Sequence, residues 1–288
     1  MEIQTKEFIQ VWKEELKHEI NKLQEKPSCT IIIAKDYYEA SKIYVNNKMK
    51  ISNELGINSQ IVEVLWENKS KEELIEELKN IIGKSKNAVM VQDPFPLLNQ
   101  TEIAELIPYE KDADGFTTIQ KGKLVNGDKD ALIPCTPLGI IKLLNYVYPN
   151  GLKGKSIGIF SRSNLIGKPL MSLALQYDMT PIVIHTKTNY TTRQNTLLNS
   201  DIIITGCGKR KLFSAKDFGN VETIIDCSMD KIEGVPGVGD CNKEDILQKR
   251  IDIKIASGYG HTGTCTVLGL MENIIKAYKN QNCIQGED

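Results

Sequence analysis

The chain has 288 residues, 41% of them hydrophobic and 25% charged, which is enough for two domains with buried cores. Its 36 Lys+Arg balance 37 Asp+Glu, and a net charge of −1 offers no electrostatic footprint for nucleic acid. No apolar run approaches the roughly 20 residues a membrane helix needs, and residues 1–7 lack the form of a signal peptide, so a cytosolic protein is expected. The seven cysteines are scattered with no C-x-x-C pair, and His18, His185 and His261 lie far apart. That pattern argues against a zinc site or a disulfide framework, and a metal-free protein is expected.

In chain order, residues 5–25 place Phe8, Ile9, Trp12, Leu16, Ile20 and Leu23 along one face of an amphipathic helix. A strand is predicted over 29–34, then a helix over 37–55 closed by Gly56, then a strand over 60–65. Ser70-Lys71-Glu72-Glu73 reads as a capping box that starts a helix to Ile82, with Gly83 as its stop. A third strand covers 88–91. Pro94, Pro96, Pro108 and the stretch 112–115 then interrupt the pattern, which predicts long loops across 92–137.

A helix over 137–147 leads to Pro149-Asn150-Gly151-Leu152-Lys153-Gly154, which reads as a domain junction. Beyond it the pattern predicts strand 156–160, helix 167–177, strand 181–185, helix 190–199, strands 201–205 and 221–226, and a last helix from 266 to 278. Repeated βα units imply an α/β fold of mostly parallel sheets covered by helices on both faces. The expected organisation is an N-terminal α/β domain, residues 1–148, with the last helix (266–280) packing back on it. A Rossmann-like dinucleotide domain, residues 149–265, follows.

The passage Phe160-Ser161-Arg162-Ser163-Asn164-Leu165-Ile166-Gly167-Lys168-Pro169 runs from a strand through a tight turn into a helix N-terminus. Such a turn offers unpaired backbone N–H groups and a positive dipole end to a phosphate. Arg162 adds a charge suited to an oxyanion and Ser163 a hydroxyl donor. An ordinary βα turn with a solvated arginine is the plain alternative. After the next strand, Ile184 is followed by His185-Thr186-Lys187, with no carboxylate to hold ribose hydroxyls. Arg162, Thr186 and Lys187 suit a 2′-phosphate instead, which favours NADP over NAD.

On the helix over 37–55, Tyr44 and Lys48 are four residues apart and share a face. Further on, 91–96 reads V-Q-D-P-F-P, 111–116 reads K-D-A-D-G-F, and 134–139 reads P-C-T-P-L-G. With Y-V-x-x-K-x-K at 44–50, R-S-x-x-x-G-K-P at 162–169 and H-T-K-T at 185–188, the order and spacing resemble the bifunctional methylenetetrahydrofolate dehydrogenase/cyclohydrolase family (FolD) over nearly the whole chain.

That resemblance implies two chemistries in one cleft between the domains: hydride transfer from 5,10-methylenetetrahydrofolate to NADP, and hydrolysis of the methenyl product to 10-formyltetrahydrofolate. It implies Lys48 as the proton-transfer group, Gln92 holding its amine, Tyr44 on the folate and Asp114 on the pterin edge. On residues alone, Asp112 and Asp114 equally suit shaping the turn before Gly115. The cofactor contacts implied are Ser161, Arg162, Ser163, Gly167, Thr186 and Met229. Gly260 and His261 join Tyr44 and Asp114 as substrate contacts, and the protein is expected to be a homodimer.

Three passages depart from the family pattern. Ser161 replaces the glycine before Arg-Ser. I-D-V-G-I-N becomes Ile225-Asp226-Cys227-Ser228-Met229-Asp230. T-P-V-P-G-G-V-G-P-M-T becomes Ala256-Ser257-Gly258-Tyr259-Gly260-His261-Thr262-Gly263-Thr264-Cys265-Thr266, with all its prolines gone. A loop without those restraints is expected to be more mobile when empty, with Tyr259 able to stack on a ring and His261 to relay a proton. Two other functions stay open here: a paralogue with cyclohydrolase activity alone, and a folate- or nucleotide-binding protein without turnover.

Overall fold

Two parallel sheets organise the chain, and each has its own core. The structure, a computed structural model, describes residues 1–37, 39–228 and 237–283; the side chains of 39–41, 43 and 259 are outside that description. The elements in chain order are α1 (Thr5–Asn21), β1 (Ser28–Ala34), α2 (Glu39–Leu55), β2 (Asn58–Val64), α3 (Lys71–Lys84), β3 (Ala88–Val91), α4 (Gln100–Leu106), α5 (Thr118–Asn126), α6 (Cys135–Val147), β4 (Ser156–Phe160), α7 (Gly167–Gln176), β5 (Thr180–Val183), α8 (Tyr190–Asn199), β6 (Ile202–Thr205), β7 (Thr223–Asp226), α9 (Lys243–Lys249), β8 (Lys254–Ser257) and α10 (Thr264–Gln281).

The chain divides into two compact units, one of Val11–Cys135 with Val267–Asp288, the other of Met1–Gln10 with Thr136–Thr266. The division falls at 135/136, inside α6, rather than at the Pro-Gly stretch near 149. Gly139 explains why α6 belongs largely with the later residues: a Cβ there would lie 2.9 Å from the backbone of Cys265, so helix and chain pack at contact distance.

In the unit of residues 11–135 and 267–288, the sheet order is β2-β1-β3, all parallel. β1 is almost wholly apolar, Ser-Cys-Thr-Ile-Ile-Ile-Ala, as a central parallel strand covered on both faces must be. Leu74, Leu78 and Ile82 recur at helical spacing on α3 and pack with Ile32, Val64 and Val89 in one apolar cluster. The capping box predicted at Ser70 is present, with Glu73 N–H donating to the serine hydroxyl and the Glu73 carboxylate accepting from Ser70 N–H. Gly83 does not stop α3; it lies inside a helix that ends at Lys84, and Ser85 turns the chain to extended backbone at φ −72°. The predicted loop region 92–137 also carries α4 and α5, each with a side-chain N-cap, Asn99 and Thr117.

In the other unit the order is β5-β4-β6-β7-β8, again all parallel. The chain runs outward from β4 to β5, then crosses back to β6. The carboxyl end of β4 is therefore the switch point where doubly wound sheets hold ligands. β8 and α9 were not anticipated; both are short and begin with lysine. The N-terminal residues extend this sheet beyond β8. Ile3 N–H donates to Ile255 O at 2.9 Å and Ile255 N–H to Met1 O at 2.8 Å. Among the described residues, no helix is long and apolar enough to cross a membrane.

Candidate active site

Lys48 is on α2, whose residues Val45, Ile51 and Leu55 are buried against the rest of their unit. Its Nζ donates to Gln92 Oε1 at 2.9 Å and to Met90 Sδ at 3.1 Å. Gln92 follows β3 directly, and its own Nε2 donates to Asp93 O at 2.7 Å, which turns the amide oxygen toward the lysine. The residue as a whole keeps some accessible surface, while its ammonium end sits in a crowded, sulfur-rich environment. Burial lowers the Lys48 pKa, and Asp114, Cys135 and Cys29 oppose that shift. The donor count fits the same direction. A neutral amine has two N–H groups, matched by the oxygen of Gln92 and the sulfur of Met90, and one free lone pair.

Asp114 follows the three-residue helical turn Tyr109–Lys111. Burial raises its pKa to about 6 against the pull of Lys48, with Asp112 pushing further upward. Each of these two groups is thus driven toward its neutral form by burial and held back by the other's charge. Cys135, at the start of α6, brings Sγ to 3.8 Å from Asp114 Oδ1 and 3.5 Å from Ala113 O. Asp114 also lines a recess with Val91, Asp93, Ile103, Ile107 and Phe116.

The two aspartates of the motif have separate duties. Asp112 is 1% exposed and accepts Thr117 N–H at 2.6 Å, so it shapes the turn. Asp114 instead turns its carboxyl toward Lys48 and Cys135. The Lys111 ammonium donates to Ser85 O at 2.5 Å, beyond the end of α3, and so ties the motif to that helix end. Tyr44 is half-buried, one turn before Lys48 on α2.

In the dinucleotide-type unit, the turn after β4 closes through Gly167. A Cβ at Gly167 would lie 2.0 Å from Ser161 O, so only glycine permits the turn. Ser161 is buried and Ser163 exposed, and their hydroxyls are 3.1 Å apart. Ser163 Oγ also accepts Ile166 N–H at 3.0 Å, so Ser163 organises the turn as well as facing solvent. α7 starts without a side-chain cap. The turn itself takes up part of its first hydrogen-bonding capacity, since Lys168 N–H donates to Ser163 O at 3.1 Å and Leu170 N–H to Ile166 O at 2.9 Å, and Pro169 has no N–H, which leaves the Gly167 N–H facing the turn. Arg162 is exposed and has no hydrogen bond or ion pair among the described residues.

β5 pairs with β4, so the segment after it lies beside the same turn. There Thr186 and Lys187 are exposed, while Thr188 Oγ1 accepts His185 N–H at 3.0 Å and His185 Nδ1 accepts Lys187 N–H at 3.1 Å. The arrangement presents a hydroxyl and two cationic side chains, Arg162 and Lys187, and no carboxylate, as an anionic cofactor group requires. Met229 lies outside the described residues.

The segment 256–265 is not an open loop. Its first residues complete β8, and Tyr259–Gly263 form a π-helical turn that runs into α10. Gly260 is exposed on this turn, whereas His261 has both ring nitrogens engaged, by Thr5 and by Glu2. The side chain of Tyr259 is outside the described residues.

Met90 and Cys29 were not anticipated at the site. Met90 stands two residues before Gln92 along one strand direction, so both side chains leave the same face, a signal present in the period of β3. Cys29, in an apolar strand, reads from sequence only as core.

Comparison with known proteins finds a match to each unit. The catalytic-domain model of the tetrahydrofolate dehydrogenase/cyclohydrolase family matches residues 3–114, and that family's NAD(P)-binding-domain model matches residues 134–282. The chain is 34% identical over 274 residues to the bifunctional protein FolD of Campylobacter hominis, covering 93% of this chain and 94% of that protein. It is 34% identical over 288 residues to the FolD of Oceanobacillus iheyensis, covering 97% of each. The crystal structure of FolD from Campylobacter jejuni superposes with a TM-score of 0.87 at 30% identity, over 98% of this chain and 99% of that one. The chain belongs to the tetrahydrofolate dehydrogenase/cyclohydrolase family.

Proposed function

We propose that Lys48, with Gln92, Asp114 and Tyr44, is the reaction centre of a bifunctional enzyme that oxidises 5,10-methylenetetrahydrofolate with NADP and hydrolyses the methenyl product to 10-formyltetrahydrofolate. The observation that carries this reading is the Lys48 amine, lowered in pKa by burial and aimed by Gln92. An ordinary lysine of pKa near 10.4 is neutral in roughly one molecule in 2,500 at pH 7, and each unit of lowering multiplies that fraction by about ten. The methenyl cation is already electrophilic, so catalysis must supply proton transfer. Lys48 takes a proton from the attacking water and returns it to the nitrogen that leaves as the ring opens. One group serves both steps best when its pKa lies near the working pH.

Asp114 accepts the paired N–H groups of the pterin edge. With a pKa of about 6 it is mostly ionised at pH 7, and donors on a bound ring favour the ionised form further. Tyr44, half-buried beside the lysine, contacts the folate. In the other unit, Ser161, Ser163 and the backbone of Gly167 hold the cofactor phosphates, while Arg162, Thr186 and Lys187 hold a 2′-phosphate. Gly260 contributes backbone to the substrate from its exposed position. Bound NADP supplies the hydride acceptor.

The enzyme is cytosolic and a homodimer through the dinucleotide-type unit in this reading. β5 is an edge strand, and Met171, Leu175 and Tyr177 on and after the neighbouring helix α7 are 37%, 60% and 39% exposed, an apolar surface suited to a second copy. Purified protein given methylenetetrahydrofolate and NADP should form NADPH, and given the methenyl compound should consume it faster than buffer does. Absence of both reactions would refute the assignment.

A further inference from the structure

The family pattern carries prolines where this chain has Ser257, Tyr259 and Thr264, yet the segment is tied down by side-chain hydrogen bonds. Ser257 Oγ, at the end of β8, donates to Asp226 Oδ2 at 3.0 Å. Asp226 is fully buried at the end of β7 and also accepts Thr205 Oγ1 at 2.9 Å and Cys241 N–H at 3.0 Å. Gly258 then takes φ +100°, a conformation that L side chains rarely adopt. Beyond it, His261 Nδ1 lies 2.8 Å from Thr5 Oγ1, and its Nε2 lies 3.0 Å from Glu2 Oε1. Thr266 Oγ1 donates to Thr262 O at 3.1 Å.

The tautomer follows from the partners. Glu2 only accepts, so Nε2 carries the hydrogen, and Nδ1 accepts from the Thr5 hydroxyl. Burial and the Lys243 ammonium hold the His261 pKa below its ordinary value against the pull of Glu2, which keeps the ring neutral at pH 7. Glu2 is itself fixed by Lys243. Glu2 and Thr5 flank Ile3, whose N–H pairs with Ile255 of β8, so the N-terminal segment is anchored before it meets the histidine.

The π-helical turn stands at the carboxyl end of β8, on the same edge of the parallel sheet as the turn after β4. Ligands of doubly wound sheets bind along that edge. We propose that Thr5, His261 and Glu2 form a latch that holds the turn 259–263 in its ligand-binding form, with side-chain hydrogen bonds doing the restraining work that prolines do in the family pattern. His261 is thereby a positioning residue rather than a substrate contact. The ligand-binding part of this inference rests on the function proposed above.

The test is a double-mutant cycle of His261→Ala, Thr5→Val and both together, read by hydrogen exchange on the unliganded enzyme and by steady-state kinetics. Each single change should speed exchange of amides 260–263 by about tenfold, the scale of one lost hydrogen bond, with little further gain in the double variant. KM for NADP or folate should rise by a similar factor in each variant, with kcat within about twofold, because only the cost of ordering the turn changes. Unchanged exchange, or strictly additive effects, would overturn the latch. Faster exchange with both KM values unaltered would overturn its link to ligand. If the enzyme lacked both activities the proposed function would fall, while the exchange data would still decide for or against the latch. Thr5→Val removes one hydroxyl at constant shape, so it remains informative if His261→Ala folds poorly.

Discussion

Lys48 Nζ and Gln92 Oε1 stand 2.9 Å apart, one carried by α2 and the other by the chain leaving β3. The amide orients the amine without adding charge. A carboxylate in the same place would stabilise the ammonium and suppress the base. Gln92→Glu is therefore expected to move the rising limb of the hydrolysis pH profile upward by about 1–2 units, with a corresponding loss of rate at pH 7. A profile unmoved by that change would separate Gln92 from the lysine's protonation.

Asp114 offers a stability test with a definite sign. Its folded pKa, about 6, lies above the ordinary 3.8, so the folded state binds the proton more tightly than the unfolded state does. The resulting stabilisation is complete below the unfolded value and is lost as pH rises through the folded one. Asp114→Asn removes that dependence. The variant should gain about 1–2 kcal/mol relative to wild type at pH 7 after allowance for partial exposure, and little at pH 4. Its KM for folate should rise. Denaturant melts at the two pH values check the first outcome, and an equal difference at both would refute it.

Arg162 is exposed and free of partners among the described residues, beside the segment carrying Thr186 and Lys187. Arg162→Ala should weaken NADP by about tenfold or more while changing NAD much less, since a guanidinium grips a phosphate with charge-assisted bonds of about 1.5–3 kcal/mol. Paired KM measurements with the two cofactors decide it. Equal losses would assign Arg162 to the shared pyrophosphate.

The buried carboxylate of Asp226 predicts the behaviour of Ser257. Ser257→Ala deletes one of the donors to a group with no exposure to water, and the unfolding free energy should fall by about 1–2 kcal/mol. Chemical denaturation measures this directly, and a neutral result would mean that the remaining donors suffice.

Elements with a local signature are legible in the sequence. Ser70 with Glu73 declared the start of α3, the amphipathic spacing of Leu74 and Leu78 declared its buried face, and β3 and β4 were placed to the residue. Other local signals were present and outweighed. Asn99 with Glu102 is also a capping box, and Gly127 at φ +78° closes α5, but the surrounding prolines suggested loop. Gly83 resembled a stop, and the helix ran through it because burial of Ile82 on the core face favours continuing that turn.

What sequence could not supply is contact across distance. Lys48, Gln92 and Asp114 could be named from their motifs, but Met90 and Cys29, which complete the lysine's surroundings, look like ordinary strand core. His261 reads from sequence as a substrate contact or proton relay; its partners Glu2 and Thr5 lie at the other end of the chain, with the nearer hydrogen bond spanning 256 positions. The loss of three prolines suggested mobility, because proline restraint is visible in sequence and a hydrogen bond between distant side chains is not.

The most direct measurement is the hydrolysis rate of methenyltetrahydrofolate by Lys48→Met, compared with wild type at equal folded concentration. Methionine fills the space of the lysine stem without a titrating amine, so circular dichroism and cofactor binding should be retained. The rate should fall by about 10²–10⁴-fold, the contribution of a positioned acid–base group, and its pH dependence in the neutral range should flatten. A folded variant hydrolysing the substrate within a few-fold of wild type would contradict the central claim that Lys48 carries the proton.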